Sequence, residues 1–199
     1  MIHIITPFLV AILIGYCFGC FNLAYIISKV KKVDLQNTGS KNLGASNTFI
    51  SVGKGFGVLV GACDIFKCTL AILLVGFIFP EINYLPYVTG ITCVLGHMFP
   101  FYLHFKGGKG FASFLGMSLA IHWKYFIIIG ICIILITLIT KYIVLATMAT
   151  VISYPIFLFF STSNWIVVTM VTVLSAIIII KHHKNLIRIA KGEEFKFKI

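Results

Sequence analysis

Carboxylates are the scarcest chemistry in this sequence. Five occur, Asp34, Asp64, Glu81, Glu193 and Glu194, against 16 Lys and Arg, and the formal net charge is +11. Scattered along the chain, they speak against a dinuclear metal site, and neither a metal nor any other cofactor is expected. Charge of either sign is sparse. Only 11% of residues are charged while 60% are hydrophobic, which excludes a soluble globule, whose apolar share is about 45 to 50%. No extramembrane stretch is long enough to fold by itself, so residues 1–199 read as one domain. No soluble domain displays an aromatic and basic face, which removes nucleic acid as a partner. The N-terminus lacks a basic leader and a small-residue cleavage site, so the first apolar run reads as a retained span. The six cysteines all lie within apolar runs, where they act as small hydrophobes. Cys17 and Cys20 have CxxC spacing without a second ligand pair, and no disulfide is expected.

What is present is hydrocarbon in lengths that match a bilayer. Runs of about 17 to 25 apolar residues can cross it as helices, and they fall at approximately 4–28, 56–79, 84–103, 142–160 and 164–180. The 30 residues of 111–140, interrupted at His122-Trp123-Lys124, form either one long tilted helix or two short ones. Charge decides between them. With two helices, segments 29–54, 104–109, Lys141 and 181–199 share one side with 5, 2, 1 and 6 Lys or Arg, and Lys124 stands alone opposite. With one helix the tail crosses over and the count becomes seven against seven. Basic residues collect on cytoplasmic loops. The expectation is therefore an all-α polytopic membrane protein with seven transmembrane helices, its N-terminus outside and its C-terminus cytoplasmic.

Three patches rich in glycine, cations and small polar residues interrupt the hydrocarbon, and this topology puts all of them on the cytoplasmic face, where they can converge on one site. Lys106-Gly107-Gly108-Lys109-Gly110 has three glycines in five residues at a helix entrance, a turn whose amides can approach phosphate oxygens. It is not a Walker A loop, because Leu103 replaces the first glycine and Phe111 offers magnesium no hydroxyl. Gly39-Ser40-Lys41-Asn42-Leu43-Gly44-Ala45-Ser46-Asn47 gathers hydrogen-bonding side chains beside a lysine. In His182-His183-Lys184-Asn185, His182 and Asn185 share a face if the last helix continues past the membrane. Imidazole can bind phosphate or move a proton, and a carboxamide can orient an oxygen. Each patch has a plain alternative: a flexible hairpin, a turn-rich loop, and a basic cuff from Lys181 to Arg188 on anionic lipid. The tetrapeptide Gly-Lys-Gly-Phe occurs at 53–56 and 108–111, each time before a span, where helix N-termini favour anions.

Asp64 and Lys67 lie inside the second span. Intramembrane charges are expensive and pair within the bundle or line a site; a structural ion pair is expected, with direct substrate contact the alternative. His97 is expected to hydrogen-bond a neighbouring helix. No histidine is followed by aspartate five positions later, which removes the signature of acyltransferases that use thioester donors, and no Gly-x-Ser-x-Gly elbow occurs.

Taken together, five spaced motifs resemble the bacterial membrane glycerol-3-phosphate acyltransferase family that uses acyl-phosphate, the PlsY family. They are Gly39-Ser40-Lys41-Asn42 with Gly44-Ala45-Ser46-Asn47; Asp64 with Lys67; Gly96-His97-x-Phe99-Pro100 through Gly110; His182-x-x-Asn185; and Gly192-x-Glu194. The resemblance implies a seven-span enzyme of the bacterial inner or plasma membrane with its active site facing the cytoplasm. Its partners would be acyl-phosphate, glycerol 3-phosphate and the lipid bilayer, and it would act as a monomer in phospholipid biosynthesis. It would acylate the sn-1 hydroxyl to give lysophosphatidic acid. By the same resemblance, Ser40, Lys109 and the Gly107-Gly108 turn hold phosphate and polarise the donor, His182 and Asn185 orient glycerol 3-phosphate, and Asn42, Gly44, Asn47 and Gly110 complete the binding loops. The chain departs from the family at Ile50, where an arginine is expected. If the segment after Asn47 is helical, Lys54 lies on the face of Ile50 and can substitute, with Lys41 next in line. Two further departures are Gly19-Cys20-Phe21-Asn22, in place of a Gly-Ser-Ile-Pro-like turn, and Cys68, in place of a glycine. The alternative function is a carrier for organic phosphates, against which stands the lack of an inverted repeat or matched interrupted helices.

Overall fold

The apolar runs become helices, and among the described residues there is no strand. The computed structural model describes residues 2–197. Its helices are α1 (Ile2–Cys20), α2 (Leu23–Lys31), α3 (Ala45–Ser51), α4 (Lys54–Ile78), α5 (Leu85–Met98), α6 (Phe111–Ile121), α7 (Trp123–Thr140), α8 (Ile143–Ser161) and α9 (Trp165–Ala190). Among the described residues, five stretches are long and apolar enough to cross a membrane: Ile5–Lys31, Lys54–Ile78, Trp123–Thr140, Ile143–Ser161 and Trp165–Ala190. At 1.5 Å per residue, α5 and α6 reach only about 21 and 16 Å, short of the roughly 30 Å hydrocarbon core. The 111–140 run divides as expected, with His122 in a non-helical conformation (φ −136°, ψ 65°) between α6 and α7.

The chain separates into two compact units, Met1–Ile121 and His122–Ile199. In the first, α1 packs closely on α5. A Cβ on Gly15 would strike Thr89 O and Thr92 Oγ1, one on Gly19 would strike Cys93 O, and one on Gly96 would strike Tyr16 O. Lipid supplies no hydrophobic drive between helices, so small residues that let backbones touch supply dispersion instead. Tyr16 donates to Phe99 O at 2.9 Å and locks the pair. Gly116 plays the same part between α6 and α4, where an added Cβ would meet Ile65 O. Thr69 Oγ1 bridges the two helices by donating to Gly116 O at 3.0 Å.

The first apolar run does not form one continuous helix. α1 stops at Cys20 and α2 restarts at Leu23, with the Asn22 side chain capping α2 by accepting from Tyr25 N at 2.9 Å. The carbonyls freed at the break are satisfied from elsewhere: Tyr102 OH donates to Cys20 O at 2.7 Å, and Lys67 Nζ donates to Gly19 O and Phe21 O. A cation at the C-terminal end of a helix also complements its dipole.

In the second unit, Tyr125 stacks within 4.9 Å of Tyr154 and 4.8 Å of Phe157, and shares a 2.7 Å hydrogen bond with Ser153. This cluster joins α7 to α8. Asn164 caps α9 through Ile166 N and Val167 N. With 26 residues, α9 runs for about 39 Å, longer than the hydrocarbon core is thick. His182 and Asn185 are therefore helical, on the buried face that also carries Ile178.

Candidate active site

The loop from Asp34 to Asn47 is built around one side chain. Asn47 is fully buried, and its amide nitrogen donates to Leu35 O, Thr38 O and Asn42 O at 2.8, 3.0 and 2.9 Å. Its oxygen accepts from Ser40 N at 2.7 Å and from Ser51 Oγ at 3.3 Å. With every polar atom engaged, Asn47 organises the loop and cannot also serve as the substrate ligand expected from the sequence. Gly39, at φ 60°, brings the chain so close to Asn47 that a Cβ there would strike its oxygen. Gly44 caps α3, its carbonyl accepting from Thr48 N and Thr48 Oγ1. Ser40 is the complement of Asn47: it is half-buried, its amide is bound, and its hydroxyl has no hydrogen bond among the described residues. Asn42 is half-buried beside it and Lys41 is exposed. Asp34 starts the loop, accepting from Gln36 N and from Asn37 Nδ2 at 2.7 Å. The Asn37 hydrogen bond holds its carboxyl below the usual carboxylate range.

The 104–110 loop is held by its backbone. His104 and Phe105 adopt consecutive left-handed conformations that turn the chain back toward α5. Gly107 N then donates to Met98 O at 3.1 Å and Gly108 N to His97 O at 3.0 Å. Those amides satisfy the carbonyls at the end of α5 and are not open to phosphate, which corrects the expectation of a free amide cradle. The glycines contribute close approach instead. A Cβ on Gly107 would collide with His97 O, and one on Gly108 with His97 Nε2. Gly110 is needed for its conformation, φ 88°, at the entrance to α6. Lys109 stands half-buried between Gly108 and Gly110. Gln36 Nε2 reaches Lys106 O at 3.2 Å, so the two loops touch.

Lys54 does not occupy the place the sequence suggested. α3 ends at Ser51, Gly53 takes φ 147°, and α4 begins afresh at Lys54. The helical continuity that would put Lys54 on the face of Ile50 is absent; both residues are exposed.

In the second unit, His182 Nδ1 donates to Ile178 O at 2.8 Å, which fixes the ring and leaves Nε2 as its outer nitrogen. Asn185 Nδ2 donates to Glu194 Oε1 at 2.6 Å, while Arg188 Nε holds Glu194 Oε2 at 2.7 Å. Gly192, at φ 73°, turns the tail so that Glu194 can reach back. The carboxamide of Asn185 is thereby oriented with its oxygen away from Glu194. The expected ion pair in α4 is present, Lys67 Nζ to Asp64 Oδ1 at 2.8 Å, and His97 joins it from α5. Sequence reasoning missed the Asn22 cap and the partners of the α1–α2 break. A polar residue after Phe21 in an apolar run was the available signal. Among the described residues no three His, Cys, Asp or Glu side chains gather as a metal requires.

Helices long and apolar enough to cross a bilayer, with basic, glycine-containing loops between shorter helices, define an integral membrane protein. The family model described as glycerol-3-phosphate acyltransferase matches residues 9–192. The glycerol-3-phosphate acyltransferase of Bartonella henselae is 36% identical over 187 residues, covering 92% of this chain and 89% of that protein. Glycerol-3-phosphate acyltransferase 1 of Oceanobacillus iheyensis is 37% identical over 200 residues, covering 95% and 94%. The chain belongs to the glycerol-3-phosphate acyltransferase family, and within it to the PlsY type. Its fold is similar to the crystal structure of PlsY, an integral membrane glycerol 3-phosphate acyltransferase, in the glycerol 3-phosphate form, with a TM-score of 0.88, 35% identity and 96% of each chain covered. The lysophosphatidic acid form of PlsY gives 0.84 and 34%, covering 96% and 95%.

Proposed function

We propose that this chain transfers an acyl group from acyl-phosphate to the sn-1 hydroxyl of glycerol 3-phosphate, releasing lysophosphatidic acid and phosphate. The observation that carries the reading is the family match across residues 9–192, which spans all of the polar patches. The hydroxyl oxygen attacks the acyl carbon, the bond from that carbon to phosphate oxygen breaks, and the departing phosphate takes the hydroxyl proton. An acyl-phosphate is already activated, so positioning and charge neutralisation can supply much of the rate. Ser40, with its open hydroxyl, and Lys109 hold phosphate and polarise the donor. His182 and Asn185 orient glycerol 3-phosphate, each fixed by a hydrogen bond within its own unit. Asn42, Gly44 and Gly110 shape the loops around them.

In this reading the chain is a single monomeric domain of seven spans in the bacterial inner membrane, with α5 and α6 as short spans. Its N-terminus is outside, and the loops and the C-terminal tail are cytoplasmic. The test uses purified protein in detergent, with lysophosphatidic acid measured from acyl-phosphate and acyl-CoA side by side. Formation from acyl-phosphate and negligible formation from acyl-CoA is expected, and comparable rates from both would place the chain in another acyltransferase class. In the same assay, Ser40→Ala, Lys109→Ala, His182→Ala and Asn185→Ala should each lower turnover roughly 10- to 150-fold, the value of one charge-assisted hydrogen bond expressed in the transition state. Near-normal turnover in all four would defeat the residue assignments.

A further inference from the structure

Asp64, Lys67 and His97 form a cluster to which acyl transfer as described gives no role. All are buried, at 2%, 5% and 3% exposure. Lys67 Nζ lies 2.8 Å from Asp64 Oδ1, 2.6 Å from Phe21 O, 3.1 Å from Gly19 O and 3.0 Å from His97 Nδ1, while His97 Nδ1 lies 3.3 Å from Asp64 Oδ1. An ammonium has three N–H bonds and accepts none. Directed at Asp64 and the two carbonyls, they are fully used. His97 Nδ1–H then donates to Asp64, and Nε2 becomes the edge of the ring that faces Gly108, where an added Cβ would collide with it. Gly108 is not in the left-handed region. The imidazole, not backbone conformation, demands glycine there.

The same cluster reaches the other loop. Gly19 O and Phe21 O flank the α1–α2 break, and Asn22 in that break donates to Leu43 O at 3.3 Å. One buried polar chain thus runs from Leu43 through Asn22 and Phe21 to Lys67, His97 and Gly108. Buried ion pairs are about neutral for stability relative to apolar residues of equal volume, and ionisable groups inside a membrane are costly. A role in fixing position explains their presence better than a role in stability.

We propose that His97, held by Asp64 and Lys67, is a positioning residue for acyl transfer: its ring sets the height of Gly108 and so the place from which Lys109 meets phosphate. This rests on the role given to Lys109 above. The two ideas fail separately, since normal turnover of Lys109→Ala sinks that role while the cycle below is read from Gly108 and His97 alone.

The experiment is a double-mutant cycle on the purified full-length protein, with kcat and KM for both substrates determined per folded, monodisperse molecule and with whichever donor the wild type uses. Gly108→Ala is expected to lower kcat/KM about 100-fold, and Gly108→Ala/His97→Ala to recover at least about 10-fold of that loss, because truncating the ring makes room for the methyl group. Additive losses overturn the proposal, as does a mere drop in the folded fraction with unchanged kcat and KM. If Gly108→Ala does not fold, the charge-neutral, volume-conserving pair Asp64→Asn/Lys67→Met decides. It should remain folded with kcat/KM lowered at least about 10-fold, and wild-type kinetics in that variant overturn the proposal.

Discussion

The 34–47 loop and the 104–110 loop are ordered by opposite means. The first depends on the carboxamide of Asn47, which gathers three carbonyls, an amide and a hydroxyl from residues 35 to 51. The second depends on main-chain amides that close onto the end of α5 and on glycines that permit the approach. A side-chain hub leaves the surrounding backbone free to display groups outward, and Ser40 and Lys41 use that freedom. A main-chain clamp fixes the backbone itself, and Lys109 is the side chain it would present to phosphate under the proposed function. Sensitivity to substitution should therefore be concentrated in one residue in the first loop and spread along the chain in the second.

The largest effect expected from this contrast is at Asn47. Asn47→Ala removes five hydrogen bonds; at about 1 kcal/mol of net stability per hydrogen bond, it should cost up to roughly 5 kcal/mol and lower activity more than about 100-fold. Asn47→Asp should be as damaging, because an oxygen would then face three carbonyls. Thermal unfolding in detergent checks this, and a wild-type Tm for Asn47→Asp would remove the hub. Next in size is Gly107→Ala, expected to lower turnover roughly 10- to 100-fold through lost loop geometry. Its obstacle is the carbonyl of His97, so truncating the His97 ring should not help, unlike at Gly108. Rescue of Gly107→Ala by His97→Ala would show that ring and backbone do not act separately.

The smallest effect concerns Asp34. Its carboxyl is held below the usual range by the Asn37 hydrogen bond, so its support of the first loop is complete above the ordinary carboxylate pKa and is lost as pH falls through the lowered value. Amide hydrogen exchange at Thr38, whose N–H donates to Asp34 O at 2.8 Å, should accelerate relative to the 104–110 amides only at acidic pH. Asp34→Asn should abolish that difference, and its persistence in the variant would assign the effect to another group.

Local features are legible in the sequence and non-local partners are not. The i, i+3 spacing of Asp64 and Lys67, the break at His122 and the helical continuation to Asn185 all lie in short stretches of sequence. The hub at Asn47 was legible only as a polar residue in a turn-rich loop, since composition does not separate a residue that binds a ligand from one that binds the loop. The bonded state of Gly107 N and Gly108 N depends on α5, roughly ten residues upstream, and could not be seen in a glycine count. The break between α1 and α2 is stable because Lys67 and Tyr102 supply donors from far along the chain. Lys54 is a different case: Gly53, a helix breaker legible in the sequence itself, interrupts continuity between α3 and α4.

The placement of Asp64 and Lys67 on one helix also bears on how the chain enters the bilayer. A lone charge at the centre of a helix costs about 2.5 to 3.5 kcal/mol to insert. Three residues apart on α4, the two side chains can neutralise each other before α5 has been made. Past Lys54 at its N-terminus, α4 can therefore enter the bilayer as an electrically neutral segment. In the finished fold the ammonium also donates to Gly19 O and Phe21 O at the end of α1, while His97 reaches Asp64 from α5. A variant with the carboxylate moved to another helix could keep every contact of the finished fold and still be made poorly, because the compensating charge would come too late.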